Sequence, residues 1–111
     1  MNFNEIDYFT KDFRRLSKKY KSLPDDLLEF KKVISGFPLG RGKHFIILTA
    51  TETVKIMKAR LFCRYLKGSS LRIIYAYYEK KQMIEFIEVY PKSEKSKEDR
   101  QRINNYLRNF K

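Results

Sequence analysis

The sequence predicts an α+β fold with two N-terminal helices, a small antiparallel meander sheet of about four strands, and a C-terminal helix. Apolar residues recur every three or four positions in residues 10–36, which is the spacing of helices buried on one face. After residue 53, segments rich in β-branched and aromatic residues follow one another across short turns, as the strands of a meander do. The 111 residues are predicted to form a single domain, 1–111.

The N-terminal segments are predicted to form a strand and a helix. Residues 3–8 alternate apolar and polar side chains, which favours a short first strand. Residues 10–21 have helical spacing, and Thr10 is a suitable N-cap. The predicted buried face of this helix consists of Phe13, Leu16 and Tyr20.

A second helix is predicted to begin after Ser22, whose side chain can cap it. Pro24 suits the first turn, and Asp25 and Asp26 complement the positive end of the helix dipole. Gly36 ends the helix. The predicted buried stripe consists of Leu27, Phe30 or Val33, and Ile34.

The segment that follows is less regular. Residues 36–44 form a basic loop that contains three of the four glycines. Residues 44–51 are consistent with a strand or a packed loop, and a strand is favoured. His44 is interpreted as a polar residue beside the loop. A nucleophilic pair of His44 with Cys63 is disfavoured, because Cys63 has the position of a buried strand residue.

Three strands are predicted over residues 54–65, 71–78 and 82–90. Side chains alternate between the two faces of a strand. On the first of these strands, Met57, Ala59, Leu61 and Cys63 should therefore face one way, and Ile56, Lys58, Arg60, Phe62 and Arg64 the other. The C-terminal helix should begin near Ser96. Its apolar side consists of Ile103, Tyr106, Leu107 and Phe110.

Positive charge is the most informative feature of the composition. The chain has 25 Lys and Arg residues against 13 acidic ones, a formal net charge of +12. Glu52 is the one acidic residue between Lys31 and Tyr78. Such a surface predicts a polyanionic partner, and nucleic acid is the first candidate.

Arg72 is unusual because it lies inside a strand that otherwise looks buried. Its head could reach solvent or pair with Glu85 or Glu88. Alternatively, it could join Arg60 and the other cations on one sheet face and bind a phosphate. Aromatic residues interleave with these cations, and an exposed subset could stack unpaired bases. These aromatic residues are Phe62, Tyr65, Tyr75, Tyr77, Tyr78 and Tyr90.

Several classes are disfavoured by what the sequence lacks. No run of about 18 apolar residues is present, so no transmembrane helix and no membrane partner are predicted. No signal peptide is recognised, and the single Cys permits no internal disulfide. These features predict a cytoplasmic protein. No metal-ligand pattern appears and no cofactor is expected, so a nuclease activity would be metal-independent.

The segment "KARLFCRYLKGSSLRIIYAYYEKKQMIEFIEVYPKSEKS" resembles the second half of the RelE/ParE superfamily of toxins from type II toxin–antitoxin modules. The upstream "FTKDFRRLSKKYKSLPDDLLEF" is similar to the paired N-terminal helices of that superfamily. Residues 37–53 look like an insertion. The resemblance implies a RelE-like fold. RelE-like members are ribosome-dependent mRNA endonucleases, whereas ParE-like members inhibit DNA gyrase without cleaving anything.

The resemblance also implies roles for individual residues. Lys58 and Arg60 fall on the strand that carries catalytic lysines in RelE-like toxins, and Arg72 matches the arginine that stabilises the transition-state phosphate. Lys92 is the fourth implied catalytic residue. The candidate RNA-binding residues are Arg64 and Lys67, from the pattern of positive charge, and Tyr90 and Lys95, from the resemblance. RelE itself has a tyrosine near the position of Asp99, so in this chain the role of that tyrosine is either unfilled or taken by Tyr90.

The function implied by the resemblance is a metal-independent mRNA endonuclease that acts on the ribosome. Its partners would be ribosome-bound mRNA, ribosomal RNA and an acidic antitoxin. In such a reaction the RNA 2′-OH attacks the adjacent phosphorus, and Lys58 or Lys92 would be the base if neighbouring cations lower its pKa. Two alternatives stay open: a non-catalytic gyrase inhibitor, and a basic nucleic-acid-binding module.

Overall fold

The structure is a computed structural model that describes residues 1–67 and 70–109. Its elements are β1 (Asn2–Glu5), α1 (Asp7–Lys19), α2 (Leu23–Gly36), β2 (Phe45–Ala50), β3 (Lys55–Phe62), a 3-10 turn (Arg64–Leu66), β4 (Ser70–Tyr78), β5 (Met83–Pro91) and α3 (Arg100–Arg108). The strands form one sheet in the order β1-β5-β4-β3-β2. The meander β2-β3-β4-β5 is antiparallel, and β1 pairs in parallel with β5. The predicted α+β class is confirmed, with five strands where about four were expected.

Helices α1 and α2 cover one face of the sheet, which we call the helix-pair face. The alternation of β3 places Met57, Ala59 and Leu61 on this face, where they are almost completely buried. The helices contribute side chains at helical spacing. The fully buried ones are Phe9, Leu16, Leu23 and Ile34.

Helix α3 packs against the opposite face and leaves part of it uncovered. Ile103 and Tyr106 of α3 bury themselves against Ile56, Ile74 and other apolar sheet residues. The Tyr106 hydroxyl donates a hydrogen bond to Glu85 on β5 at 2.6 Å. We call this face of the sheet the α3 face, and its uncovered part is the area where the predicted cations lie.

The N-terminal elements begin and end differently from the prediction. β1 ends at Glu5, and α1 begins at Asp7, three residues before Thr10. Thr10 is therefore inside the helix, and its hydroxyl bonds to the Glu5 carboxylate and to the Ile6 carbonyl. Ser22 precedes α2 but makes no capping bond, because its hydroxyl binds Asp26 instead.

Burial decides the side chains that the sequence left open. Phe30 is buried in the α2 stripe, whereas Val33 is exposed. The predicted strand over residues 44–51 is confirmed as β2. The C-terminal helix begins at Arg100, four residues later than expected, because Asp99 accepts a hydrogen bond from the Arg102 amide and caps it.

Two predictions fall on residues outside the described ranges, namely part of the turn at 68–69 and the apolar contact of Phe110. Within the described ranges, no helix is both long and apolar enough to span a membrane.

Candidate nucleic-acid interface

Sheet register assembles a row of side chains across the α3 face. Arg60 on β3 lies directly opposite Arg72 on β4, and Arg72 lies opposite Tyr90 on β5. The row extends beyond β3, because the Arg60 amide donates a hydrogen bond to the His44 carbonyl at 3.1 Å. His44, Arg60, Arg72 and Tyr90 therefore follow one another across four adjacent chain segments.

The two arginines of this row are not neutralised by the protein. Among the described residues, neither Arg60 nor Arg72 makes an ion pair with a carboxylate. The Arg72 guanidinium donates a hydrogen bond to the Ser70 hydroxyl at 2.9 Å. Glu85 and Glu88, the predicted alternative partners, bind Tyr106 and Lys95 instead. The prediction that Arg60 and Arg72 share one face is confirmed.

A cleft of about 240 Å³ contains all four side chains that the resemblance implied to be catalytic. These are Lys58, Arg60, Arg72 and Lys92, and the lining also includes Lys43, His44 and Ser96. A second depression of about 440 Å³ shares Arg60, Arg72 and Lys92 and continues towards Leu66 and Ser93. The two form a basic path over the end of β4. Such a path can follow the backbone of a single strand of nucleic acid.

Lys58 differs from the arginines because it has a carboxylate partner. Its ammonium binds Glu98 at 2.9 Å, and both groups are largely shielded from solvent. Partial burial is the largest single influence and tends to lower the pKa of Lys58, but the hydrogen bond to Glu98 and the interactions with the Glu98 and Tyr90 oxygens together outweigh it, and the pKa is raised. Burial is likewise the largest influence on Glu98 and tends to raise its pKa, but the hydrogen bond from Lys58, a backbone hydrogen bond and the charges of Lys58 and Arg100 together lower the pKa of this carboxyl. The condition under which Lys58 could act as the base, a pKa lowered by neighbouring cations, is therefore not met.

Tyr90 closes the row on β5 as a buried side chain. Its hydroxyl has no partner in good hydrogen-bond geometry among the described residues. Burial raises the pKa of Tyr90, and the nearby Lys58 ammonium opposes this rise. Lys95 lies over the Tyr90 ring at 5.1 Å from its centroid and forms an ion pair with Glu88. Tyr90 and Lys95 thus form one wall beside the cleft, with the charge of Lys95 compensated.

Arg64 does not join the cationic face, contrary to prediction. β3 ends at Phe62, so the alternation that predicted the direction of Arg64 stops before it. Its Nε binds the buried Asp26 carboxylate of α2 at 3.2 Å, and its amide donates to the same carboxylate. Asp26 lies in the first turn of α2, as predicted, and its carboxylate also binds Arg64. Lys67, at the end of the 3-10 turn, is exposed.

The structure sorts the aromatic residues that the sequence left undivided. Tyr75, Tyr77 and Tyr78 are buried. Phe62 and Tyr65 are exposed, at 61% and 55%. Phe62 lies on the α3 face, two residues along β3 from Arg60, and is available for stacking. Tyr65 lies in the 3-10 turn, where its ring contacts Tyr20 edge-to-face at 6.4 Å.

No model of a known protein family matches the sequence, and none of the curated proteins matches it. The structure is similar to a chain in the crystal structure of the archaeal RelE–RelB complex from Pyrococcus horikoshii OT3. The two chains are 23% identical, the match covers 85% of this chain and 97% of that one, and the TM-score is 0.62. This chain has a RelE-like fold.

Within the RelE-like fold, one cleft residue was missed by the sequence interpretation. His44 was interpreted as a loop residue, but its side chain lines the basic cleft beside Arg60. The signal was available in principle, since a strand at residues 45–50 antiparallel to β3 brings its preceding residue opposite Arg60 or a neighbour. The missing information was the register of β2 against β3.

No cluster of three or more His, Cys, Asp or Glu side chains in the described part of the chain is placed to bind a metal ion.

Proposed function

We propose that this protein is the toxin of a toxin–antitoxin module and acts as a metal-independent endonuclease on mRNA at the ribosome. The observation that carries the proposal is the pair Arg60 and Arg72, which are directly opposed, share a cleft with Lys92 and have no carboxylate of their own. The RelE-like fold supports the family-level role. A cytoplasmic site of action follows from this proposal.

The chemistry requires only what the cleft contains. The 2′-OH of RNA supplies the nucleophile, and its attack on phosphorus places additional negative charge on the phosphorane oxygens. Guanidinium groups offer paired N–H donors that match phosphate oxygens. One such preorganised donor is typically worth about 2.7–4 kcal/mol in the transition state. We assign this role to Arg72 and Arg60.

Binding in an in-line geometry is the second contribution, and correct orientation can be worth about 7–11 kcal/mol. The Lys58–Glu98 pair holds one ammonium in a fixed place beside the arginines, as a positioned charge. Phe62 provides an exposed ring at the same end of the sheet for an unpaired base. Lys67 extends the positive surface beyond β3, and Tyr90 with Lys95 forms the wall on β5.

An acidic antitoxin is the proposed protein partner. A net charge of +12 on 111 residues favours an acidic binding segment. The similar chain of known structure was crystallised in a RelE–RelB complex. We expect co-expression of an acidic open reading frame encoded next to this one to relieve growth inhibition by the toxin.

Primer extension on RNA from cells that express the protein tests the proposal directly. The wild type should produce new 5′ ends inside translated frames, and Arg72→Ala should produce none while remaining folded. Lys80→Ala is the matched control, because Lys80 is an exposed cation in the turn at the other end of β4. Cleavage by Arg72→Ala at the wild-type level would contradict the assignment.

A second experiment separates cleavage from binding. A message with one 2′-deoxynucleotide at the cleavage site should bind but stay intact, because the nucleophile is missing. If the wild type binds RNA and cleaves neither message, the protein is a binding module. Inhibition of DNA supercoiling by gyrase, without any RNA cleavage, would identify the ParE-like alternative.

A further inference from the structure

The proposed reaction also requires a residue that accepts the 2′-OH proton, and the residues discussed above do not supply one. Lys58 is held in its charged form by Glu98. The Tyr90 hydroxyl is buried and its pKa is raised. Arginine stays protonated in proteins and cannot act as a base. Of the side chains that line the basic cleft, His44 alone is of a type that ordinarily changes charge near neutral pH.

The position of His44 is set by the same register that aligns the arginines. The hydrogen bond from the Arg60 amide to the His44 carbonyl holds the two residues side by side. The imidazole ring packs edge-to-face on Phe62, with the centroids 5.6 Å apart and the planes at 86°. The ring is thus placed by contacts on its backbone and on its side, at one end of the row that contains Arg60 and Arg72.

One ring nitrogen of His44 has no structural role within the described protein. Nδ1 is buried and makes no hydrogen bond with any described residue. Buried polar atoms in folded proteins are nearly always paired, so an unpaired one beside a cleft requires an explanation, and a catalytic role is one of the recognised explanations. The half-buried ring lines both the basic cleft and the adjoining apolar groove at Phe62.

We propose that His44 is the general base of the reaction, an inference that rests on the proposed endonuclease function. The neutral imidazole accepts the 2′-OH proton as the 2′-oxygen forms its bond to phosphorus. The bond between phosphorus and the 5′-oxygen breaks, and the leaving oxygen takes a proton from the Lys92 ammonium. The products are a 2′,3′-cyclic phosphate and a 5′-hydroxyl end. Solvent then returns a proton to Lys92 and removes one from His44.

The other charged groups around the ring are lysine, arginine and carboxylate side chains, so among the residues that line the cleft and the groove His44 is the one of a type that ordinarily changes charge near neutral pH. Positive groups face it from the Gly-rich loop, β3, β4 and the segment after β5, and these are Lys43, Lys58, Arg60, Arg72 and Lys92. The groove side adds groups from α2 and the 3-10 turn, namely Asp26, Glu29 and Arg64.

The test is the rate of cleavage of mRNA on programmed ribosomes, under single-turnover conditions, from about pH 5.5 to 8.5. The wild-type rate should fall as the pH drops through the histidine range. His44→Gln should be slower by about 10²–10⁴-fold, the usual contribution of a positioned acid or base, and should lose this acid limb. The matched control Lys43→Ala removes a neighbouring residue of the cleft, and its cleavage rate should still fall at low pH as the wild-type rate does.

A second substrate separates base from acid. In RNA with sulfur in place of the leaving 5′-oxygen, the leaving group is a thiolate, which departs without needing a proton. This substrate should therefore restore the cleavage rate of Lys92→Ala and leave that of His44→Gln low. Recovery of His44→Gln on this substrate would overturn the assignment of His44 as the base.

Folding is checked by the melting temperature and by binding of a 2′-O-methyl message. If His44→Gln fails either check, His44→Ala with added imidazole replaces it, and the rate should rise with the concentration of neutral imidazole. Absence of this rescue would overturn the proposal. A wild-type rate and pH profile in His44→Gln would overturn the base assignment while the endonuclease function stands. If the wild type cleaves no message, the function and this inference fall together.

Discussion

Arg60 and Arg72 occupy directly opposed positions on adjacent antiparallel strands, and no described carboxylate pairs with either. Side chains at opposed positions have Cβ atoms about 4.5–5.5 Å apart, and like charges there destabilise the sheet. This repulsion lowers the stability of the folded protein. In the proposed function, the phosphate of the bound RNA offsets this repulsion.

The first prediction is that this repulsion can be measured as stability. Arg60→Gln and Arg72→Gln should each raise the free energy of unfolding in urea by about 0.2–1 kcal/mol, while both abolish cleavage. The gain should shrink at high salt, because exposed charges are screened. A loss of more than about 1 kcal/mol in either variant would show that the arginine is needed for folding.

The second prediction concerns the Lys58–Glu98 pair and its dependence on pH. The pKa of Glu98 is lower in the folded protein than in the unfolded chain, so its contribution to stability is present above the unfolded pKa and disappears as pH falls through the folded one. Glu98→Gln should cost about 1.5–3 kcal/mol near neutral pH. In urea unfolding, the difference from wild type should shrink as the pH falls and the Glu98 carboxyl becomes protonated. An equal cost at neutral and at acidic pH would contradict an electrostatic role.

The third prediction compares two exposed aromatic residues. Phe62 shares the α3 face with Arg60, whereas Tyr65 lies in the 3-10 turn against Tyr20. If Phe62 stacks on a base, Phe62→Ala should weaken binding of single-stranded RNA by about 1–3 kcal/mol. Tyr65→Ala, with similar exposure, should leave the affinity unchanged. Filter binding with a 2′-O-methyl oligonucleotide measures the RNA affinity of both variants. An equal loss of affinity in the two would contradict stacking of a base on Phe62.

The fourth prediction is that Arg64 contributes to stability rather than to RNA cleavage. Its guanidinium binds the Asp26 carboxylate, which is nearly inaccessible to solvent. Arg64→Ala should lower the free energy of unfolding by about 1 kcal/mol, the usual net value of a hydrogen bond, because the Arg64 amide and Ser22 still bind Asp26. Cleavage rates should stay within a few-fold of wild type. A loss of cleavage comparable with that of Arg72→Ala would show that Arg64 takes part in RNA cleavage.

The sequence by itself determined the local elements and the sign of the surface. The alternation of β3 placed Lys58 and Arg60 on one face, because strand periodicity is a local property. The helical spacing of Leu16, Leu27 and Ile34 identified the faces that became buried. The excess of positive charge indicated a polyanion, since long-range electrostatics depends on composition more than on exact geometry.

Tertiary structure alone decided which cations stay free. Lys58 forms an ion pair with Glu98, which is 40 residues away in the sequence. Arg64 forms one with Asp26, which is 38 residues away. Register between strands placed Arg72 opposite Arg60 and brought His44 into the same row. Such pairings depend on packing between distant segments, and neither strand periodicity nor helical spacing contains that information.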